Sequence, residues 1–332
     1  MKAVRVYTQE DPRKDLQHEN WQKRGTAVAL GSFDAVHIGH QMLIRQVVEY
    51  AKKMDLTSVV YLFRNQPRSV LGGVPVPAVN TFEGRIQILK ELGVDVVIAQ
   101  WFTPEFAAIS AETFVLDYLK NWLHAKYVAA GFNYHFGCRG EGDIHTLCAL
   151  CRREGIRIDE IPCVALEGYP VSSTRVRSLI QDGKMEEAAA CLGRPFSLSG
   201  TVIDGNQLGR TMGFPTANIA MPEGVVLPHY GVYVSRTMAE GKWYRSITNV
   251  GDKPTVKKNS LCIESHLLAF SGDIYGKPIE IQFYYYIRGI TKFENLDQLK
   301  RQLESDKKTA QMFFGKETQR FSLHVGPNSE RK

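Results

Sequence analysis

An apolar run, TAVAL at 26–30, passes without a break into GSFDAVHIGH at 31–40, after which Leu43, Ile44, Val47, Val48 and Ala51 recur at helical spacing. A buried strand that turns through glycine straight into an amphipathic helix is the first half of a βαβ unit. It commits the chain to parallel strands joined by crossover helices. Strand-like runs follow at 58–62, 94–99, 127–130 and 156–161, separated by helical stretches at 82–92, 111–123, 144–154 and 173–180. The alternation predicts a doubly wound, Rossmann-like α/β domain over 1–185, with its ligand outside the carboxyl ends of the strands.

After Gly193-Arg194-Pro195 the texture changes to short alternating runs at 231–235, 243–249, 261–270 and 278–287, broken by Gly and Pro. In the last of these Ile279, Ile281, Phe283, Tyr285 and Ile287 share one face, the mark of a half-buried antiparallel strand. A small antiparallel β-barrel over 186–320 fits this pattern. Asn295 with Gln298 resembles a capping box, and Leu296, Leu299 and Leu303 predict a C-terminal helix that closes the barrel. Residues 321–332 read as a polar, mobile tail. No internal repeat is visible.

At 332 residues two domains are expected, and 44% hydrophobic with 23% charged residues is ordinary globular composition. The N-terminus lacks an apolar signal core, and no apolar stretch approaches the ~18 residues of a membrane span. A cytoplasmic protein with no membrane partner is the expectation. The net charge of +6 is dispersed without a basic run, which points to small anions and away from nucleic acid. The six cysteines are expected to be free thiols. Cys138, His145, Cys148 and Cys151 have zinc-like identities, yet Ile144, Leu147, Cys148 and Cys151 form an apolar helical stripe, so no metal is expected there.

The turn at 31–40 carries the chemistry. A helix N-terminus offers free N–H groups and positive dipole character, and Gly39 lets a phosphate approach the backbone. His37 and His40, three apart, fall on one side of the first turn, where they can donate to charge developing at phosphorus. Gly31, Ser32, Phe33, Asp34 and Gly39 are the other candidate nucleotide contacts of this turn. A second element, VSSTRVR at 171–177, sets Ser173 and Thr174 at another helix start, with Arg175 and Arg177 as forked donors for phosphate. The string His-Ile-Gly-His also occurs in class I aminoacyl-tRNA synthetases, but the lysine-rich KMSKS-type loop those enzymes need is not found.

With both elements in one doubly wound domain, the chain resembles the nucleotidyltransferase superfamily, which implies attack on the α-phosphorus of ATP. The second half sharpens this. LGRPFSLSGTVIDGNQLGRTMGFPTANI (192–219), NVGDKPT (249–255), IESHLLAFSGDIYGK (263–277) and the Lys292-Phe293 pair resemble the riboflavin kinase module. Together with LGVD (92–95), Ser110, Phe114 and GFNYHFG (131–137), they resemble the prokaryotic bifunctional riboflavin kinase/FAD synthetase family over about residues 20–312. The resemblance implies conversion of riboflavin to FMN and of FMN to FAD, with ATP as co-substrate and Mg²⁺ as the required cation.

It further implies that Thr216 and Asn218 hold Mg²⁺ and that Gly205, Gly209, Arg210 and Gly213 bind kinase ATP. Glu264 is implied as base for the ribityl 5′-hydroxyl, and Asn133 as a contact of ATP or flavin. Four departures fall in the first domain: Ser32 for Asn, Ala35 for Gly, Asn65-Gln66-Pro67 for Pro-His-Pro, and no Lys at Gly84. Ala35 adds a Cβ where the backbone is expected either to approach phosphate or to adopt a positive φ, and Gln66 removes an ionisable ring. In the barrel Ile290 stands where a glutamate is common. Two alternatives therefore stay open: a kinase with a degenerate first domain, and a flavin-binding regulator without turnover.

Overall fold

The structure is a computed structural model that describes residues 4–8, 11, 13, 21–204, 214–220, 223–253 and 260–322. Contacts divide the chain into two compact units, Met1–Val176 and Arg177–Lys332.

In the first unit β1 (Arg5–Tyr7), β2 (Thr26–Leu30), β3 (Thr57–Phe63), β4 (Val96–Gln100), β5 (Ala125–Gly131) and β6 (Arg157–Ile161) form one parallel sheet in the order β1-β4-β3-β2-β5-β6, and β7 (Ala165–Leu166) and β8 (Tyr169–Pro170) pair as a separate antiparallel hairpin. Five of these are the strands expected from periodicity; β1 is three residues long, too short to show a period. Every residue of β2 is buried because both faces are covered. Val28 and Leu30 pack with Val115 and Leu119, and Ala27 and Ala29 pack with Leu43, Ile44 and Val47 of the first helix, α1 (Ile38–Lys53). The strand order reverses between β2 and β5, so the loops after these two strands diverge and leave a crevice.

The helix expected at 111–123 is α-wound only over Ala111–Thr113 and π-wound over Phe114–Trp122. Its wider turn gathers Phe114, Tyr118 and Trp122 into one aromatic row on the sheet. Cys151 is fully buried and Cys148 packs against the same core. Burial pushes the Cys151 thiol up to about 12, so it acts there as a small hydrophobe.

In the second unit the helix Met185–Leu192 packs on β9 (Phe196–Ile203) and β14 (Pro278–Arg288). This helix straddles the boundary expected from sequence. With β10 (Ala217–Ile219), β11 (Gly231–Ala239), β12 (Lys242–Lys253) and β13 (Ser260–Leu267), β9 and β14 make a closed barrel in the order β10-β13-β12-β11-β14-β9. The β9–β10 pairing closes it. The C-terminal helix Leu296–Ser322 instead lies against the wall, where Ala310 and Phe314 cover Val232, Val234 and Ile247. Asn295 caps it by accepting from Gln298 N, while the Gln298 side chain reaches back to Glu294 N. Asp306, buried, takes a forked bond from Arg288 of β14 at 2.8–3.2 Å and fixes the helix to the barrel. Residues 321 and 322 continue the helix, and the rest of the expected tail lies outside the described residues.

The barrel interior holds a polar device that the alternation did not reveal. Ser235, Ser246, Thr237, Ser265 and Thr248, all fully buried, close a ring of hydroxyl–hydroxyl bonds of 2.7–3.0 Å. Each hydroxyl can donate once and accept once, so none is left unsatisfied in the apolar interior. The ring fixes the register of β11, β12 and β13 against one another. Thr237→Val keeps the shape but strips Ser246 and Ser265 of a partner. It should cost about 1–3 kcal/mol in chemical denaturation, and an unchanged midpoint would show that the ring does not contribute.

Candidate functional sites

A cavity of about 500 Å³ occupies the crevice between the ends of β2 and β5. Of the residues expected to bind nucleotide, it is lined by Gly31, Ser32, Phe33, His37, Gly39, His40, Asn133, Ser173 and Thr174. At Gly39 a Cβ would sit a tight 3.3 Å from the His37 ring and 3.6 Å from Val164, so a side chain there would press on His37. At Gly31 a Cβ would come within 2.9 Å of the Phe33 ring folded beneath the turn.

His37 is the N-cap of α1, and its Nδ1 accepts the His40 backbone N–H at 3.3 Å. A neutral His37 therefore carries its proton on Nε2 as an N–H donor. The His37 ring stacks on His40 with centroids 3.7 Å apart, and Phe33 meets His40 edge-on at 5.1 Å. Burial first, and the neighbouring His37 second, hold His40 well below the usual imidazole range. His40 Nδ1 is buried without a protein partner. Burial thus keeps His40 uncharged, with the His37 ring stacked on it.

The positive φ expected at Ala35 falls elsewhere. Ala35 is fully buried, and the left-handed positions of the turn are Phe33 (φ 48°) and Val36 (φ 44°). Asp34 does not line the cavity: its carboxylate accepts from Val79 N at 2.9 Å and its carbonyl from Asn80 Nδ2 at 2.7 Å, which ties the 79–80 segment to the turn. Arg175 and Arg177 do not line it either. Arg175 Nη1 donates to Leu166 O and Tyr169 O and braces the hairpin formed by Ala165–Leu166 and Tyr169–Pro170. The cap of the following helix is Ser172, one residue before the expected pair, and it accepts from Arg175 N at 3.2 Å.

Sequence reasoning missed three groups here. Arg85 Nη1 donates to Ser32 O and Phe63 O, both at 3.3 Å, and so joins the ends of β2 and β3 beside the position where a lysine was sought. Asn65 and Gln66 are consecutive amide clamps: Asn65 bonds both ways with Phe102 (Phe102 N–H to Oδ1, Nδ2 to Phe102 O), and Gln66 bonds both ways with the Val76 backbone. Tyr61, Phe63, Phe132 and Tyr134 give the cavity an aromatic wall suited to a planar heterocycle.

The second unit has a cavity of about 410 Å³, lined by Thr216 and Asn218 together with Val202, Leu267, Phe270 and Tyr275. Asn218 lies directly opposite Glu264 across the β10–β13 pairing, and Glu264 lies opposite Asn249 on β12. Cross-strand partners share a face, so the amide and the carboxylate stand side by side. Cys262 and His266, two residues either way from Glu264, share that face too. The Cys262 thiol lies 3.2 Å from Asn218 Oδ1 and 3.4 Å from Glu264 Oε1, and His266 Nδ1 pairs with Pro215 O at 2.8 Å. The alternation of β13 was the available signal for both. Gly205, Gly209, Arg210 and Gly213 lie outside the described residues.

A phosphate-seat turn at the switch point of a parallel sheet, followed in the chain by a barrel that sets a carboxylate beside hard oxygen donors, defines a two-unit ATP-dependent transferase. The comparisons agree. Residues 19–175 match the FAD synthetase family and residues 192–314 the riboflavin kinase family. The bifunctional riboflavin kinase/FMN adenylyltransferase of Haemophilus influenzae is 36% identical over 91% of this chain and 98% of the relative. That of Escherichia coli K12 is 36% identical over 88% and 94%, respectively. A solved structure described as a macrolide-efflux protein from Streptococcus pneumoniae is 30% identical, with a TM-score of 0.83, over 93% of this chain and 99% of that one. Among the described residues of the present chain no helix is long and apolar enough to cross a membrane. The chain belongs to the bifunctional riboflavin kinase/FMN adenylyltransferase family.

Two outcomes follow from this geometry. Because folding holds His40 uncharged while the unfolded chain takes up a proton near pH 6.5, its contribution to stability is fully present above about pH 6.5. It is lost progressively as the pH falls from there toward the lowered native value. Denaturation of wild type and His40→Asn at about pH 7.5 and 5.5 should show the shallower acid loss in the variant. Ala35→Gly, placed where no positive φ is needed, should lower stability by about 0.5–1 kcal/mol and leave the rate of FMN adenylylation unchanged. A rise in that rate would show that the methyl group obstructs the nucleotide.

Proposed function

We propose that the second unit phosphorylates riboflavin to FMN and the first transfers AMP from a second ATP to FMN, releasing pyrophosphate and giving FAD. The observation that carries this reading is that each unit holds its own cavity, lined by its own motif. Glu264 does not itself line the second cavity but stands opposite Asn218, which does, and a regulator without turnover would not need a carboxylate set against that amide.

In the second unit Glu264 takes the proton of the ribityl 5′-hydroxyl as that oxygen bonds to the γ-phosphorus and ADP leaves. Thr216 and Asn218 offer uncharged oxygens, a donor set that fits a Mg²⁺ retaining water and phosphate ligands. When bound, the cation neutralises charge on the phosphates. Asn218 is 3% exposed and fixed in a strand, so its oxygen does not have to be ordered at the moment of binding.

In the first unit the nucleophile is the FMN phosphate, already an anion, so no strong base is needed. The demand is for donors that meet charge at the α-phosphorus in line with the leaving pyrophosphate. His37 Nε2–H, the uncharged His40 and the N–H groups of Ser173 and Thr174 at the helix start supply them. The aromatic wall receives the flavin ring. Asn133 follows β5 at the same mouth and is read as a contact of ATP or flavin.

His37→Ala and His40→Ala should each depress FAD formation from FMN by about 10²- to 10³-fold and leave FMN formation nearly intact. Glu264→Gln should do the reverse, lowering riboflavin phosphorylation by about 10²-fold or more. Chromatography of riboflavin, FMN and FAD after incubation with ATP and Mg²⁺ reads both. Equal loss of both steps in either set would overturn the assignment of one reaction to each unit.

A further inference from the structure

Cys262 is buried on β13, and its thiol faces two oxygens at once, Asn218 Oδ1 at 3.2 Å and Glu264 Oε1 at 3.4 Å. Across β12 its register partner is Gly251, which offers no side chain. A thiol has a single hydrogen and is a weak donor. It cannot give a full hydrogen bond to both acceptors, and which one it serves depends on whether the other is already engaged.

We propose that Cys262 is a positioning residue that couples cation binding to the kinase base. With no cation present the S–H is shared, the nearer acceptor being the Asn218 oxygen. When a divalent cation takes one lone pair of that oxygen, the remaining pair becomes the weaker acceptor, and the hydrogen turns to Glu264 Oε1. The carboxylate is then held in one orientation toward the incoming hydroxyl, and only once the cation is in place. No bond to hydrogen is broken in this handover; the thiol rotates about its Cβ–Sγ bond. The proposal rests on the reading of Asn218 as cation ligand and Glu264 as base.

The S–H stretching band in the infrared spectrum reads the acceptor directly. The full-length protein, freed of metal, gives the Cys262 band as the difference between wild type and Cys262→Ser. Adding Mg²⁺ with a non-hydrolysable ATP analogue should shift that band, and Asn218→Ala should shift it in the same direction without metal. In steady state Cys262→Ala should lower kcat for riboflavin phosphorylation about three- to tenfold, as loss of one weak hydrogen bond does. The KM for riboflavin, the thermal midpoint and FMN adenylylation should hardly change. Cys262→Ser, which keeps a donor, should recover most of the lost kcat. A band that does not move on adding the cation and nucleotide overturns the handover, whatever the variants do. Full phosphorylation by Glu264→Gln would overturn the underlying reading instead, and a Glu264→Gln enzyme without turnover beside a static band would remove only the coupling.

Discussion

Phe33 and Val36 are fully buried and held at positive φ within four residues of each other, in the turn that forms the nucleotide seat. A β-branched residue resists that conformation, and such strain costs on the order of 1–3 kcal/mol per residue. The surrounding sheet supplies the compensation. β2 is covered on both faces, Gln41 Nε2 holds the Val36 carbonyl at 2.9 Å, and Asp34 is tied to Val79 and Asn80. The strain has a use: it turns the Phe33 ring under Gly31 and against His40, so the two histidines rest on a fixed floor.

Both units solve the same electrostatic problem in the same way. Phosphate transfer needs donors already in place, and the groups proposed to meet phosphate or cation are imidazoles and helix N–H groups at one cavity and hydroxyl and amide oxygens at the other. Arg175 and Arg85 stand near the first cavity, yet both are engaged with backbone carbonyls and act as braces. Glu264, proposed as the proton acceptor, is the carboxylate among them. Its neighbours Cys262 and His266 bind Asn218 and Pro215, so one face of β13 carries the proposed base and also braces the segment proposed to hold the cation.

The departures from the family pattern look different once their contacts are known. Asn65 and Gln66 replace a rigid Pro-His-Pro with side-chain amides that each grip a neighbouring backbone at both ends, which is another way of ordering the segment beyond β3. Ile290 lies beside Gly251, where a Cβ would meet its side chain at 3.3 Å, so an apolar contact stands where a carboxylate is common.

The parallel sheet and the barrel were legible in sequence because they rest on local periodicity; the turn at 31–40 stood out as a short motif, whereas Asn218 and Glu264 were singled out only by the resemblance to the family. Strand and helix periods are properties of neighbours along the chain, and burial of β2 on both faces is already written in TAVAL. What required the tertiary structure are the partners. Asp34 meets Val79, Arg85 meets Ser32, Asn65 meets Phe102 and Cys262 meets Asn218 across separations of 37 to 53 residues. The same holds for the hydroxyl ring and for the neutrality of His40. A polar side chain has no period, and its role is set by whichever acceptor the topology brings within about 3 Å. The sequence by itself determined which chemistry the chain carries; the folded arrangement decided which of its polar groups face the substrates and which hold the others still.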